Sequence, residues 1–469
     1  MWEKKAVPEM SKKNAPLFGL DDTALSMLGS LIPEEKETVE GAGGLAGHGH
    51  AGGNAELDDA LTDFAEHPLY KQVKLMDAAS RQLGIFNPFY TCHESMAKQR
   101  TVIDGEEYLN FSTYDYLGLN GHRAVNAAGK AAMDAFGTSA GASRLLAGER
   151  PVHGAFEKDL AAVYNADAAI VFVSGHATNM STIGTLLSPA DAVFHDALVH
   201  DSLLQGTKLS GAHRYSYPHN DSDALEELLR KHRSKHRRVL IISEGLFSMD
   251  GSIADLPRLV ELKHAYKAFL MVDEAHALGV LGATGRGSAE HLGVDPREID
   301  IWMGTLSKTL CSCGGFIAGS RELIELLRFK APGFVYSVGL SPVLAAASKA
   351  ALGLMFEEPE RVRRLQDLSA CFLREAKARG LNTGHAEGYG IIPIIVGGSI
   401  ATCMLSERLY KRKISIMPVL YPAVEEGSAR LRIFLSAVHE KELIPAVLDA
   451  VAEELAAAQR DAAAALGGM

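Results

Sequence analysis

Short apolar runs alternate with amphipathic segments from about residue 57 onward, and this alternation predicts the fold class. The apolar runs span 168–174, 191–196, 238–243, 268–273 and 299–304. Between them, segments 223–233 and 256–266 carry apolar residues at helical spacing. Apolar strands that alternate with helices are typical of a mostly parallel sheet covered on both faces. We therefore predict an α/β protein whose ligands bind at the carboxyl ends of the strands.

The pattern changes after about residue 345 and predicts a smaller α+β domain. Two helical patterns, 342–356 and 358–379, precede short strands and a final helix that begins near residue 440. The predicted division is an N-terminal segment at 57–115, a large domain at 116–341 and a small C-terminal domain at 342–460.

Residues 1–56 have the composition of a flexible N-terminal extension. Half of the residues in 41–54 are glycine, which is typical of a linker. Before the linker, 21–32 has apolar residues at helical spacing and an N-cap candidate at Asp21 or Asp22. This short amphipathic helix docks on a partner protein or folds back on the body, because periodicity alone does not separate the two.

Composition excludes several classes of protein. The chain has 47 Lys and Arg against 58 Asp and Glu, and its net charge of -11 works against general binding to nucleic acid or anionic lipid. The sequence contains no run of eighteen apolar residues, the length that would predict a membrane span. The five cysteines make no even disulfide framework and the first residues lack the apolar core of a secretory signal, so we expect a cytoplasmic protein. Cys311 and Cys313 have the wrong spacing for a zinc site and are interpreted as small buried thiols.

Candidate chemistry is concentrated where the predicted strands end. The residues that follow these strand ends are Gly175, His200, Asp273, His276, Thr305 and Lys308. Taken singly, each has an ordinary explanation, such as a helix N-cap or a lysine that reaches water along its apolar stem. Their convergence on one rim of a sheet favours a binding site instead.

Pyridoxal 5'-phosphate (PLP) is a cofactor that uses all of these groups. Its aldehyde reacts with a lysine amine whose pKa is lowered from about 10.4, as burial of Lys308 would do. Its protonated pyridine nitrogen needs a carboxylate, for which Asp273 is the candidate. Its phosphate suits a helix start such as Gly175 in SGHATN, with the Thr305 hydroxyl nearby. His200 supplies a flat ring that stacks on the cofactor.

Two further motifs resemble nucleotide-binding sequences, but their context does not support that function. The DEAH stretch at 273–276 also occurs in one class of helicase, but no G-x-x-x-x-G-K-[ST] phosphate loop is present in the chain. The glycine-rich GATGRG at 282–287 does not open a strand-to-helix dinucleotide unit, so we interpret it as a loop.

The ordered motifs resemble those of the PLP-dependent α-oxoamine synthases over roughly residues 85–455. The motifs are NFSTYDYLGL (110–119), GASRLLAG (141–148), HDSLLQG (200–206), HND (219–221), EGLFSMDGSIADL (244–256), VDEAHALGVLGATGRG (272–287), GTLSKTL (304–310) and ARLRIFLSAVH (429–439). The resemblance implies a fold-type I, aminotransferase-like architecture and a homodimer with active sites at the subunit interface.

The resemblance also implies catalytic roles. Lys308 corresponds to the lysine that binds the cofactor aldehyde and removes the α-proton of the substrate, Asp273 to the partner of the pyridine nitrogen, and His200 to the stacking histidine. The full set of implied cofactor contacts is Gly175, His176, His200, Ser248, Asp273, His276, Thr305, Lys308 and Ser337, the last reaching the phosphate of the other subunit. Arg432 falls where the family holds the carboxylate of the amino acid.

Two positions depart from the family pattern. His176 stands where an aromatic residue usually follows the glycine. Tyr114 and Asp115 replace pairs that contain an asparagine, so an amide near Arg432 is absent. Asp115 is therefore a candidate substrate-binding residue, which either pairs with Arg432 or repels a substrate carboxylate.

The implied reaction is the decarboxylative condensation of a small amino acid with an acyl thioester, which gives an α-aminoketone and carbon dioxide. The amino acid is glycine, alanine or serine, and the acyl donor is a coenzyme A or carrier-protein thioester. Two alternative functions are also considered. One is another PLP reaction, such as transamination or aldol cleavage; the other is a non-catalytic partner subunit, which retention of Lys308, Asp273 and His200 disfavours.

Overall fold

The computed structural model describes residues 59–82, 87–421, 423–425 and 427–467. The helix predicted at 21–32 and the glycine-rich stretch at 41–54 lie outside the described residues.

The strands are β1 (Arg100–Ile103), β2 (Glu106–Asn110), β3 (Ala168–Phe172), β4 (Ala192–Asp196), β5 (His213–Tyr217), β6 (Val239–Glu244), β7 (Phe269–Asp273), β8 (Ile301–Thr305), β9 (Gly315–Gly319), β10 (Ile391–Gly397), β11 (Ile414–Ser415), β12 (Pro418–Val419) and β13 (Ala429–Phe434). The α-helices are α1 (Pro68–Gln82), α2 (Arg123–Phe136), α3 (Pro151–Val163), α4 (Gly175–Leu186), α5 (Asp201–Ser210), α6 (Ser222–His232), α7 (Leu256–Tyr266), α8 (Ser288–Leu292), α9 (Arg321–Lys330), α10 (Pro332–Val335), α11 (Pro342–Glu357), α12 (Glu360–Ala378), α13 (Ser399–Lys411) and α14 (Ile444–Gly467). Turns of 3-10 helix span Asp59–Thr62, Arg233–Lys235, Pro296–Glu298 and Lys441–Leu443.

The large sheet has the strand order β3-β9-β8-β7-β6-β4-β5. Strands β4 to β8 pair in parallel, whereas β9 runs antiparallel to β3 and β8. All five apolar runs are strands of this sheet, which confirms the mostly parallel α/β prediction. Strands β4, β6 and β8 are buried along their whole length because helices cover both faces.

Parallel pairing brings several strand ends to one rim. In the register of the sheet, Glu244 of β6 lies opposite Asp273 of β7, and Asp273 lies opposite Met303 of β8. Helix α4 begins three residues after β3, and α5 begins five residues after β4. The helix starts and the strand ends therefore face the same edge of the sheet, as expected for an open α/β sheet.

Two three-stranded sheets, ordered β1-β2-β11 and β10-β13-β12, form the smaller region. Strands β1 and β2 come from the N-terminal segment, so that segment joins the predicted C-terminal domain through β11. Helix α11 packs against α2 and α3, which lie in the predicted large domain. The domain boundaries at 116 and 342 stay predictions.

One continuous apolar core runs through both regions. The indole of Trp302 on β8 is fully buried, stacks on Tyr164 with ring centroids 4.8 Å apart and donates a 3.0 Å hydrogen bond to the Pro296 carbonyl. This packing holds β8 in place three residues before the strand ends at Thr305. Within the described residues, no helix has both the length and the apolar character that a membrane crossing requires.

Candidate active site

Lys308 lies in a tight turn that follows β8. The turn is closed by the Cys311 amide, which donates a 2.9 Å hydrogen bond to the Lys308 carbonyl. The Thr309 hydroxyl donates to the Leu278 carbonyl at 2.7 Å and ties the turn to the segment that follows β7. These bonds hold the lysine backbone at the rim of the sheet, with its side chain directed into a partly buried position.

The surroundings of Lys308 lower the pKa of its amine to about 8. Loss of hydration is the main cause, and the Arg432 cation acts in the same direction, whereas Asp273 and Glu244 oppose both. The Lys308 Nζ lies 5.8 Å from the ring centroid of Tyr114. At neutral pH roughly a tenth of such amines are uncharged, which is enough to make the group a nucleophile and a base.

Asp273 is a buried carboxylate at the end of β7. One of its oxygens accepts a 3.0 Å hydrogen bond from the Asn179 side-chain amide, and the other accepts a 2.9 Å bond from the Ala275 backbone amide. Asn179 also donates to the Ser202 hydroxyl at 2.9 Å. Within the described chain, no cation lies at ion-pair distance from Asp273, so its charge is available to a cationic ligand group.

His200 caps the start of α5 and keeps its ring at the open side of the site. The His200 amide donates a 2.6 Å hydrogen bond to Glu244, and its Nδ1 shares a 2.7 Å hydrogen bond with the Ser202 hydroxyl. Reduced hydration lowers the pKa of the imidazole; the nearby Lys308 adds to that effect and Asp273 opposes it. A neutral, exposed ring fixed at Nδ1 is suited to stack on a planar ligand.

Gly175 and Thr305 form a narrow cradle at the start of α4. A Cβ atom at Gly175 would lie only 2.8 Å from the Thr305 hydroxyl oxygen, so glycine is required for this close approach. The Thr305 hydroxyl also donates to the Gly314 carbonyl at 3.0 Å and lies 2.8 Å from the Ser307 hydroxyl. A helix start with small residues and hydroxyl groups suits a phosphate. His176 follows Gly175 and is exposed.

His276 and Ser248 lie on the side of the site that faces the smaller region. The Nδ1 atom of His276 lies 2.7 Å from the Tyr116 hydroxyl, and the buried imidazole is stacked at an angle of 12° on Phe434. Burial holds the pKa of His276 well below its usual value, so the ring is neutral. Ser248 is buried, and its backbone carbonyl accepts a hydrogen bond from Arg432 at 3.3 Å.

Arg432 projects from β13 without a carboxylate partner in the described residues. Its Nη1 donates to the Ser248 carbonyl and to the Met249 sulfur, both at 3.3 Å, and its guanidinium lies 4.8 Å from the ring centroid of Phe434. Its buried Nε has no acceptor among the described atoms. A planar cation held by weak acceptors, with one unsatisfied donor, is suited to bind a carboxylate in bidentate fashion.

The structure contradicts one of the two alternatives predicted for Asp115, its pairing with Arg432. Its two carboxylate oxygens accept hydrogen bonds from the amides of Leu119 at 2.8 Å and Asn120 at 3.1 Å, and the Cys311 thiol lies 3.4 Å away. Asp115 therefore closes the turn after Tyr114 and is not paired with Arg432 in the described residues, whereas its role as a substrate-binding residue stays a prediction. Loss of hydration raises the pKa of this carboxyl, and the amide bonds only partly offset that effect.

Two further predictions have different outcomes. Cys313 is exposed, so its interpretation as a buried thiol was wrong, whereas Cys311 is partly buried. Ser337 lies partly buried between α10 and α11. Its predicted contact is with the phosphate of another subunit, and that contact stays a prediction.

Glu244 and Asn179 belong to the site but were not singled out from the sequence. Glu244 is buried, and its two oxygens accept hydrogen bonds from the amides of His200 at 2.6 Å and Ser248 at 3.2 Å. Burial, reinforced by the negative charge of Asp273, raises the pKa of Glu244 to about 8. The available signals were the position of Glu244 at a strand end and of Asn179 one helical turn after Gly175.

These residues fit PLP by their chemistry. PLP has four parts that a protein must hold: the aldehyde, the pyridine nitrogen, the ring face and the phosphate. The groups suited to them are, in that order, Lys308, Asp273, His200 and the cradle of Gly175 and Thr305. They are contributed by β7, β8, α4 and the start of α5. The Arg432 guanidinium, which has no carboxylate partner in the described residues, approaches from β13 and acts on the pKa of Lys308.

Comparison with known proteins assigns the family. The family described as aminotransferase class I and II matches residues 106–451. The 8-amino-7-oxononanoate synthase of Methylococcus capsulatus is 41% identical over 77% of this chain and 92% of its own. The enzyme of the same name from Symbiobacterium thermophilum is 38% identical over 84% of this chain and 98% of its own.

Solved structures agree with the sequence comparison. Serine palmitoyltransferase of Sphingomonas wittichii covers 85% of this chain and 99% of its own with a TM-score of 0.80 and 27% identity. An SPT structure with PLP covers 84% of this chain and 100% of its own with a TM-score of 0.79 and 27% identity. The chain therefore belongs to the aminotransferase class I and II family and, within it, to the PLP-dependent α-oxoamine synthases, acyltransferases that condense an amino acid with an acyl thioester and release carbon dioxide.

Proposed function

We propose that the protein condenses glycine, alanine or serine with an acyl thioester of coenzyme A or a carrier protein. The products are an α-aminoketone, carbon dioxide and the free thiol of the donor. The observation that carries this proposal is that a buried carboxylate, Asp273, and an arginine without a carboxylate partner in the described residues, Arg432, both lie close enough to Lys308 to act on its amine. Named relatives with about 40% identity support the same reaction class.

Each of these side chains has a distinct proposed role. Bound PLP supplies an electron sink for the carbon that loses first a proton and then carbon dioxide. Lys308 anchors the cofactor and its amine accepts the α-proton, for which a pKa of about 8 is well matched to neutral pH. Asp273 keeps the pyridine nitrogen protonated, and His200 covers the ring. Arg432 holds the substrate carboxylate and so fixes which bond to the α-carbon is aligned for cleavage.

The remaining proposed contacts complete the cofactor site. Thr305 and Gly175 hold the phosphate, and His276 with Ser248 lies near the ring hydroxyl. Ser337 reaches the phosphate of a second subunit. The enzyme is proposed to be a homodimer in a reducing cytoplasm, a location that the five free cysteines support.

The central test replaces Lys308 with alanine. We expect the purified enzyme to show the visible absorbance of protein-bound PLP and the Lys308→Ala variant to lose both that absorbance and turnover. Lys208, exposed in the last turn of α5, provides a matched control, because Lys208→Ala should keep both. The measurements are the absorbance spectrum and the release of labelled carbon dioxide from carboxyl-labelled amino acids.

The dependence on the acyl donor separates this reaction from other PLP chemistry. Labelled carbon dioxide should appear only when an acyl thioester is added together with the amino acid. Release of carbon dioxide without a thioester, or transfer of the amino group to a keto acid, would assign a different reaction. A screen of three amino acids against coenzyme A and carrier-protein thioesters then identifies the substrates by product mass.

A further inference from the structure

Two arginines on β13 reach the same loop. Arg430 and Arg432 are separated by one residue, so they project from one face of the strand with Cα atoms roughly 7 Å apart. Both contact the loop that follows β6. Arg430 donates to the Met249 carbonyl at 3.3 Å, and Arg432 donates to the Ser248 carbonyl and to the Met249 sulfur, both at 3.3 Å.

The two arginines differ in how their charges are balanced. Arg430 forms an ion pair with Asp250 in which each side chain is only 9% exposed, and its Nε donates to the Ser428 carbonyl at 3.0 Å. Arg432 contacts neutral acceptors and has a buried Nε without an acceptor in the described chain. Only one of these two cations is therefore free for a carboxylate that enters the site.

We propose that Arg430 is a positioning residue that sequesters Asp250 and so prevents this carboxylate from occupying Arg432 in place of the substrate. This inference rests on the proposed role of Arg432 as the ligand of the amino-acid carboxylate. It gives Arg430 and Asp250 a role in substrate binding although neither residue touches the substrate.

The loop geometry makes Asp250 a competitor of the substrate. Asp250 follows Met249, whose sulfur lies against Arg432. Gly251 has a φ of 68°, which turns the chain sharply beside Asp250. The loop cannot move away easily, because Ile253 donates to Glu387 at 2.7 Å and the Gly251 carbonyl accepts from the Glu387 amide at 3.1 Å.

A second anchor holds the same end of the loop, at Ser252. The Ser252 hydroxyl lies 2.8 Å from His219 Nε2, and His219 Nδ1 lies 3.0 Å from the buried carboxylate of Asp196. At its start the loop is held by the Ser248 amide, which donates to Glu244 at 3.2 Å. With both ends fixed, an Asp250 side chain that has lost Arg430 stays one residue from Met249, which contacts Arg432. A buried carboxylate seeks a cation, because an uncompensated charge in this setting is strongly unfavourable.

The test is a double-mutant cycle on amino-acid binding in the PLP-loaded enzyme. Binding is measured from the change in cofactor absorbance with glycine, L-alanine and L-serine, and KM is measured for the amino acid that supports turnover. Arg430→Gln should raise this KM at least about tenfold, because Asp250 then competes for Arg432. Asp250→Asn alone should leave the KM within about threefold of the parent, since it introduces no competitor.

The double variant decides between sequestration and simple loss of packing. Asp250→Asn in the Arg430→Gln background should restore the KM to within about threefold of the parent, because no charged competitor remains. A double variant as impaired as Arg430→Gln overturns the proposal, as does an equal rise in the KM for the acyl thioester. Arg430→Lys keeps a cation beside Asp250 and should resemble the parent.

Two controls separate this inference from the proposed function. Arg408 pairs with Glu454 across α13 and α14, so Arg408→Gln removes an arginine ion pair of the small region without touching the loop, and the amino-acid KM should not change. If Arg432→Lys leaves amino-acid binding unchanged, the proposed role of Arg432 fails. If Arg432→Lys weakens binding but the double variant shows no rescue, only the sequestration proposal fails.

Discussion

At the scale of single residues, the state of Lys308 is set by opposing effects, of which loss of hydration is the largest. Loss of hydration and the Arg432 cation favour the neutral amine, whereas Asp273 and Glu244 favour the ammonium form. The outcome, a pKa of about 8, leaves the group between an ordinary lysine and one that is permanently neutral. All three charged neighbours come from other elements, so the sequence around Lys308 does not reveal this balance.

The reactivity of Lys308 should therefore follow pH with a midpoint near 8 in the cofactor-free protein. The neutral amine is the nucleophile, so the rate of modification rises as pH increases through the midpoint. The measurement is the rate of acylation of the Lys308 peptide by a small reagent, followed by mass spectrometry. A short lysine peptide, with a pKa of about 10.4, is the reference.

Variants of Asp273 and Arg432, two of the three charged neighbours, should move this midpoint in opposite directions. Asp273→Asn removes a charge that raises the pKa of Lys308, so the midpoint should fall below 8. Arg432→Gln removes a charge that lowers it, so the midpoint should rise. Shifts in the same direction, or a midpoint that stays near 10.4 in the parent, would show that these groups do not control the amine.

At the scale of elements, the strands predicted from apolar runs are those that helices bury on both faces. Strand β5 escaped prediction because it lies at the edge of the sheet and carries the polar sequence HRYSY, most of which is exposed. Strand β9 escaped because its sequence, GFIAG, contains glycines that disfavour strands in isolation. Its Gly315 is needed nonetheless, since a Cβ there would lie 2.5 Å from the Thr178 hydroxyl.

The start of α4 allows a test of the glycine cradle. Gly175→Ala should lower the affinity for PLP at least about tenfold, because the added Cβ would lie 2.8 Å from the Thr305 hydroxyl and 3.3 Å from its Cβ, which would displace the phosphate contacts. The measurement is equilibrium dialysis of the cofactor, with thermal unfolding of the cofactor-free protein recorded in parallel.

The matched control is Gly154 in α3. A Cβ at this position meets no atom within 4 Å, so Gly154→Ala should stabilise the helix by about 0.5–1 kcal/mol and leave PLP affinity unchanged. If Gly175→Ala binds PLP as tightly as the parent, the cradle does not hold the phosphate.

At the scale of the whole molecule, the site combines residues that are far apart in the chain. The strand-end rule was enough to bring Asp273, Thr305 and Lys308 together, because parallel neighbours in a sheet share an edge. The pairing of Asp250 with Arg430 was not predictable, because it depends on how β13 of the smaller region meets a loop of the large sheet. Contacts between regions have no periodic signature in the sequence.

An apolar surface on either side of Ser337 in the chain is suited to contact a second subunit. It contains Leu146 and Tyr336, which are 82% and 87% exposed, and Val338, which is 49% exposed. The segments that carry them are joined, since the Ser143 hydroxyl donates to the Val335 carbonyl at 2.7 Å. An exposed apolar patch beside the predicted phosphate contact Ser337 is typical of an interface.

Leu146→Asp should therefore shift the protein from dimer to monomer. A charge in the centre of an apolar interface must lose its hydration without gaining a partner, which costs several kcal/mol. Sedimentation velocity measures the oligomeric state, and equilibrium dialysis should show weaker PLP binding if Ser337 of a second subunit contributes to the phosphate site. Leu209, 65% exposed at the opposite end of α5 from His200, is the control, and Leu209→Asp should remain dimeric. A parent protein that sediments as a monomer, or a Leu146→Asp variant that stays dimeric, would place the interface elsewhere.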